Sequence, residues 1–132
     1  MKDQVTSIEQ SRRLLELGVP AEKASMVWTS CSNEWHLSVL PHYRASKECI
    51  DSGVSTPAFT VVDLLEIMPK FVWSDEKGWC RLIIRYANDE KPVIGYDGHS
   101  GNLAYWRGED SVLDNMVHAI IWLMANGYGL EL

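Results

Sequence analysis

Three predicted strands in the second half of the chain are joined by short polar links, and this feature restricts the fold more than any other. The strands are expected over Trp79–Ala87, Pro92–Asp97 and Leu103–Arg107. Their links, Asn88–Lys91 and Gly98–Asn102, are shorter than the crossover of about a dozen residues that parallel neighbours require. The three strands must therefore run antiparallel, as a meander.

Further strands are predicted upstream of this meander. Met26–Ser30 and Trp35–Leu40 form a hairpin through a polar link, and Phe71–Ser74 is a brief strand. The stretch Pro41–Pro57 has no clear pattern beyond a short helix over Arg44–Asp51.

The first helix is predicted from its capping signals. Thr6 and Ser7 each have a Glu or Gln three residues later, and Gly18 is the expected C-terminal stop. This helix is expected to lie on the core.

A short second helix is predicted from a Thr60 cap to Met68, where Pro69 ends it. Asp63 lies in its first turn, where a carboxylate favours the helix dipole. Asp63 and Glu66 are expected on its solvent-exposed face.

The last helix is expected to run from an Asp110 N-cap to Asn126. Its apolar side chains fill an arc about 200° wide, so we expect it to be buried on two sides. Trp122 stands in the middle of the remaining polar arc. Either the tail Tyr128–Leu132 or the first helix covers this indole, or Trp122 anchors a partner or a second copy.

With 132 residues and 46% hydrophobic composition, the chain suits one globular domain, 1–132. We expect an α+β fold in which an antiparallel meander sheet of about five strands carries three main helices, packed chiefly on one face. Six Trp against two Phe is an unusual aromatic mix that is typical of half-buried positions and contact surfaces.

The formal net charge of −6 argues against nucleic acid as a partner, because nucleic-acid binding needs a basic stripe. Only Lys91 and Arg107 are basic after Arg85. The longest apolar run, Ala119–Ala125, is too short to cross a membrane. Three cysteines are an odd number, which favours reduced thiols and a soluble, cytoplasmic protein.

Two segments and the opening of the first helix carry a resemblance. The segments are Phe59–Lys70 (FTVVDLLEIMPK) and Ala119–Tyr128 (AIIWLMANGY), and the first helix contributes Ser7–Gly18 (SIEQSRRLLELG). Together they resemble small uncharacterised bacterial proteins of the prophage or mobile-element type. The resemblance implies a compact α+β domain with an accessory role and no assigned reaction.

Two histidines are candidates for catalysis. His118 lies four residues from both Asp114 and Trp122, so an ion pair with Asp114 is expected, and an imidazole oriented for base catalysis is the alternative. His99 lies between Gly98 and Gly101, in a loop that is either an ordinary hairpin turn or a cradle for an anion.

A metal site is not expected. Cys31, His36, His42 and Cys49 lack the tight spacing of zinc ligands, and no other motif suggests a cofactor.

The predicted strand Trp79–Ala87 has one apolar face and one that carries Arg81 and Arg85. Tyr96, Tyr105 and Trp106 lie on neighbouring strands, on faces that depend on the register. Arginine side chains packed over aromatic rings either cover an exposed sheet face or bind an acidic peptide, a nucleotide or single-stranded nucleic acid.

The leading interpretation is a non-enzymatic accessory or protein-interaction domain that binds a protein partner or a second copy of itself. Its predicted partner-binding residues lie on the last helix and on the sheet: Trp122, His118, Arg81, Arg85, Tyr96 and Trp106. The alternative is a small hydrolase or ligand-binding enzyme that uses His99 or His118 with nearby carboxylates.

Overall fold

A computed structural model of the protein describes residues 4–31, 33–39, 52–86, 91–109 and 111–132. The chain divides into two compact units, Met1–Leu64 with Leu132, and Leu65–Glu131. The single domain stays a prediction, and each of the two units has its own antiparallel sheet.

Within its described residues, the first unit holds a helix, a 3-10 turn and three strands. These are α1 (Ile8–Glu16), the turn Ala21–Lys23, β1 (Met26–Cys31), β2 (Glu34–Val39) and β3 (Ser55–Ala58). The strand order is β2-β1-β3, with antiparallel pairing throughout. The predicted hairpin is confirmed, and α1 packs against β3.

The second unit holds four strands in a meander and the longest helix. After α2 (Val61–Ile67), which joins the units along the chain, come β4 (Phe71–Ser74), β5 (Gly78–Tyr86), β6 (Pro92–Gly98), β7 (Gly101–Trp106) and α3 (Val112–Ala125). The order β4-β5-β6-β7 follows the sequence. Helix α3 packs against β6 and β7.

The α+β class and the C-terminal meander are confirmed, but the prediction of a single sheet of about five strands was wrong. The described strands form a three-stranded and a four-stranded sheet, and α1 and α3 pack on different sheets. The strand that the sequence pattern missed is β3, which contains Pro57. Because β3 is an edge strand among the described strands, the missing N–H of Pro57 is tolerated there.

The helix caps show how far local sequence signals hold. Ser7 caps α1 in a reciprocal capping box with Gln10, as predicted. The N-cap of α3 is Ser111, whose hydroxyl accepts from the backbone N–H of Asp114. The predicted N-cap, Asp110, lies outside the described residues.

Thr6, the other candidate cap, serves the core of the first unit instead. Its Oγ1 lies 2.7 Å from the Ser11 hydroxyl and accepts from the backbone N–H of Phe59 at 3.0 Å. Its carbonyl accepts from Nε1 of Trp28 at 2.9 Å. The buried cluster around it consists of Val5, Trp28 and Ala58, with Ile8, Met26, Trp35 and Leu37 packed against it.

Asp63 is buried, so the expectation that it lies on a solvent-exposed face was wrong; Glu66 is exposed as predicted. The Asp63 carboxylate accepts from the backbone N–H of Thr60 at 2.9 Å and of Ser25 at 2.8 Å. It also accepts from the Ser25 hydroxyl. A signal for a helix cap cannot reveal this second set of bonds, because Ser25 is distant in sequence.

Replacing Asp63 should therefore destabilise the fold far more than its place in a helix cap implies. Asp63→Asn removes the negative charge that strengthens these three hydrogen bonds and replaces one of the two accepting oxygens with an amide donor, and we expect a loss of about 2–3 kcal/mol in the free energy of unfolding. Glu66→Gln on the same helix is the control, with a change below about 0.5 kcal/mol. Urea unfolding measures both, and equal effects would contradict this role of Asp63.

Two buried hydroxyls face each other in the first sheet without hydrogen bonds. Thr29 of β1 is directly opposite Ser55 of β3, and neither side-chain oxygen has a partner within the described parts of the chain. A buried hydroxyl without a partner costs free energy, since water has been removed and nothing replaces it.

Thr29→Val keeps the shape of the side chain and removes this unpaired hydroxyl, so it should stabilise the protein by about 1 kcal/mol. Ser38→Ala, at an exposed hydroxyl on the same sheet face, should change the stability by less than about 0.5 kcal/mol. Thermal or urea unfolding gives the comparison. A destabilised Thr29→Val variant would mean that this hydroxyl is hydrogen-bonded in solution.

No helix within the described ranges is long and apolar enough to cross a membrane. Over the same residues, no group of three or more His, Cys, Asp and Glu side chains is placed to hold a metal ion. Of the predicted features, the helix over Arg44–Asp51 and the residues His42 and Cys49 lie outside the described ranges.

Candidate interaction surface

The two faces of the four-stranded sheet are set by alternation along β5. Leu82 is directly opposite Tyr96, and Ile84 is opposite Ile94, on the face that we call the inner face. Successive side chains of a strand point to opposite faces. Trp79, Arg81, Ile83 and Arg85 therefore lie on the other face, which we call the outer face.

Helix α3 covers the part of the inner face formed by β6 and β7, where a chain of aromatic rings links the helix to the sheet. The centroid of the Trp106 ring lies 6.5 Å from that of Tyr96 and 5.3 Å from that of Trp122. The Trp122 ring in turn stacks on Tyr128, at 5.5 Å and 19°. Trp122 is thus half-buried between a strand and the C-terminal tail, which is one of the two coverings that the sequence allowed.

Tyr96 is fully buried, and its hydroxyl donates to the carbonyl of Pro69 at 2.8 Å. Burial raises the pKa of Tyr96, and the negative charge of Glu131 raises it further. The side chain is part of the core of this unit, where a partner cannot reach it. Trp106 and Trp122 are partly buried, and each packs against other rings of the same chain.

His118 is exposed on α3, and the acid beside it is Glu109. Its Nε2 atom lies 3.1 Å from Oε1 of Glu109, and about half of each side chain is exposed. Glu109 is therefore a hydrogen-bonding partner of His118 that the spacing along α3 did not predict, and the contact is an ion pair when the imidazole is protonated. A pair this exposed contributes little to stability, because water screens it.

Three large aromatic side chains lie exposed at one corner of the outer face. Phe71 is 62% exposed, Trp73 52% and Trp79 64%. Trp73 and Trp79 are direct cross-strand partners, with ring centroids 5.5 Å apart and planes at 70°. Nε1 of Trp73 donates to Asp75 at 3.2 Å, which fixes that ring. We call Phe71, Trp73 and Trp79 the aromatic corner.

Arg81 extends the aromatic corner toward the middle of the sheet. It lies directly opposite Phe71 on β4 and Asp97 on β6. Its guanidinium has no hydrogen bond or ion pair within the described ranges. An open depression of about 390 Å³ lies here, lined by Phe71, Trp79, Arg81, Asp97, Gly98 and His99.

The depression brings His99 together with an acid and a cation, but its described lining includes no Ser, Thr or Cys. The thiol of Cys80 is buried. Burial raises the pKa of this thiol and nearby Asp97 raises it further, while Lys77 opposes them. A protonated, buried thiol is a poor nucleophile, so the geometry suits binding better than covalent catalysis.

Tyr105 lies flat across the outer face on top of Gly95. The two residues are cross-strand partners, and a Cβ atom on Gly95 would lie only 2.0 Å from Cδ1 of the ring. The Tyr105 hydroxyl donates to Oδ1 of Asn102 at 2.8 Å. The guanidinium carbon of Arg85 lies 5.4 Å from the centre of the same ring, which is cation–π contact.

Gly95→Ala should displace the Tyr105 ring and destabilise the protein by about 1–3 kcal/mol, as overpacked sites do. The double variant Gly95→Ala, Tyr105→Ala should lose less than the sum of the single changes, because the ring that clashes is gone. Gly129→Ala is the control, since its added Cβ meets no atom within 4 Å. Urea unfolding of all four variants tests this, and strict additivity would contradict the contact.

Sequence reasoning selected Arg81 and Arg85 on this face but missed Phe71 and Trp73. The missing step was the pairing of β4 with β5, which places Phe71 beside Arg81 and Trp73 beside Trp79. The turn between the two strands and the alternation along each were the available signals.

No family model, no curated protein and no solved structure matches this chain.

Proposed function

We propose that the protein is a non-enzymatic, cytoplasmic protein-interaction domain of the accessory type, and that it self-associates through the aromatic corner and Arg81. The observation that carries this proposal is the exposure of all three aromatic side chains of the corner. Aromatic residues frequently anchor protein interfaces, so a cluster of exposed aromatic rings marks a site of interaction.

The arrangement of polar groups around the corner supports a protein partner. Arg81 supplies a guanidinium with five donors at the edge of an apolar patch, and arginine beside aromatic residues is a frequent interface composition. Arg81 also faces Asp97 across the sheet, so the surface carries charges of both signs. A second copy of the chain can therefore present the opposite charge to each.

The test is sedimentation velocity over a range of concentrations. Wild-type protein is expected to form a dimer, and Trp79→Ala should weaken the dimer by about 2 kcal/mol, which is roughly 30-fold in Kd. Trp79 is exposed, so thermal unfolding should show that the variant stays folded. Tyr86→Ala is the matched control, because Tyr86 lies at the far end of the same strand and is 68% exposed.

Three outcomes would overturn the proposal: a monomer at every concentration, equal effects of Trp79→Ala and Tyr86→Ala, or a dimer that only Trp122→Ala disrupts. The third outcome would place the interface on α3.

The alternative function, a small hydrolase or ligand-binding enzyme, has one favourable observation. His99, Asp97 and Arg81 line the same depression, so an anionic ligand could be held there. His99→Ala should leave the dimer unchanged if the protein is an interaction domain. Binding or turnover of a small anion that His99→Ala abolishes, by a chain that stays monomeric, would favour the alternative.

A further inference from the structure

We infer that the partner surface is the open backbone edge of β4, which pairs antiparallel with β4 of a second copy so that Phe71 of each chain lies opposite Trp73 of the other. This inference rests on the proposed function and specifies how the two copies meet. It would join two four-stranded sheets into one continuous sheet.

The open edge follows from the position of β4 in the sheet. Among the described strands, β4 pairs only with β5. The backbone N–H of Leu82 donates to the carbonyl of Lys70 at 2.8 Å, so the pair Lys70–Leu82 is a hydrogen-bonded one. Hydrogen-bonded and non-bonded pairs alternate along an antiparallel ladder. Val72 therefore bonds to β5, whereas Phe71 and Trp73 direct their N–H and C=O groups away from it.

These outward groups determine one register for a second copy. If Phe71 lies opposite Trp73 of the other chain, both form hydrogen-bonded pairs, and the two-fold axis gives four backbone hydrogen bonds in all. A shift of two residues in either direction would put Phe71 opposite Phe71, or Trp73 opposite Trp73. Either shift leaves one of the two residues on each chain without its partner, so the stated register satisfies the most groups.

The side chains fit the same register. Phe71 and Trp73 both lie on the outer face, so each ring would face the other across the new pair, where aromatic cross-strand contacts stabilise sheets. Lys70 precedes β4 and Asp75 follows it. Antiparallel pairing brings the basic end of one strand next to the acidic end of the other, whereas parallel pairing would bring like charges together.

The edge also lacks most of the devices that prevent pairing. Natural sheets protect an edge with charged residues, prolines or bulges. Phe71–Ser74 contains no charged residue and no proline, and its pairing with β5 shows no register shift. Its short length is the remaining protection, and it limits the contact to a single pair of strands.

Amide hydrogen exchange followed by NMR tests the inference with a control inside the strand. At concentrations where wild-type protein is dimeric, the amides of Phe71 and Trp73 should exchange roughly tenfold or more slowly than in diluted, monomeric protein. The Val72 amide bonds to β5 in both states, so its exchange rate should change much less. A sample mixing isotope-labelled and unlabelled chains should show an NOE between the two Val72 Hα protons, whose Cα atoms lie about 4.5 Å apart in this register.

The outcomes separate this inference from the function that it rests on. A dimer that Trp79→Ala weakens, but without protection of Phe71 and Trp73, overturns the strand pairing and leaves the aromatic corner as the interface. Protection of both amides with an NOE between two other residues overturns the register. A chain that is monomeric at every concentration overturns the inference and the proposed function together.

Discussion

The pairing of β5 with its two neighbours is the interaction on which the second unit depends. Because β5 is bonded to β4 on one side and β6 on the other, its alternation sets the faces of all three strands. Leu82 lies opposite the buried Tyr96 on the inner face, while Arg81 and Trp79 lie on the outer face with Phe71. A slip of one residue would exchange the two sets, placing the arginines in the core. The register that builds the core is therefore also the register that assembles the exposed surface.

Sequence reasoning succeeded where the deciding interactions are local. The capping box of Ser7 and the antiparallel order of the last strands follow from spacing over a few residues. It failed where distant residues decide. Asp63 is buried because Ser25, on a remote part of the chain, donates to it twice. The separate three-stranded sheet depends on β3, whose Pro57 is a residue that argues against strands unless the edge position is known.

The candidate surface was predictable in part for the same reason. Arg81 and Arg85 belong to a long strand whose alternation is readable from the sequence. The exposed Phe71 required knowledge of which strand pairs with which. Trp122 shows a different case: its polar neighbours on α3 left open whether the ring is exposed or covered, and the ring lies between Trp106 and Tyr128. A helical pattern reports what surrounds a residue on its own helix and carries no information about rings supplied by other segments.

The pairing of β6 with β7, on the side of the sheet away from β4, contains a β-bulge that affects how the sheet can grow. The pairing of β6 with β7 shifts register between Tyr96 and Asp97, and such an irregularity increases local twist. Among the described strands, β7 forms the other edge of the sheet, so a further copy would have to pair with a twisted strand there. The two edges therefore differ: β4 pairs with β5 without a register shift, whereas the pairing of β7 with β6 is irregular. Because the two edges are not equivalent, strand pairing between copies can stop at an assembly of finite size instead of continuing into a fibre.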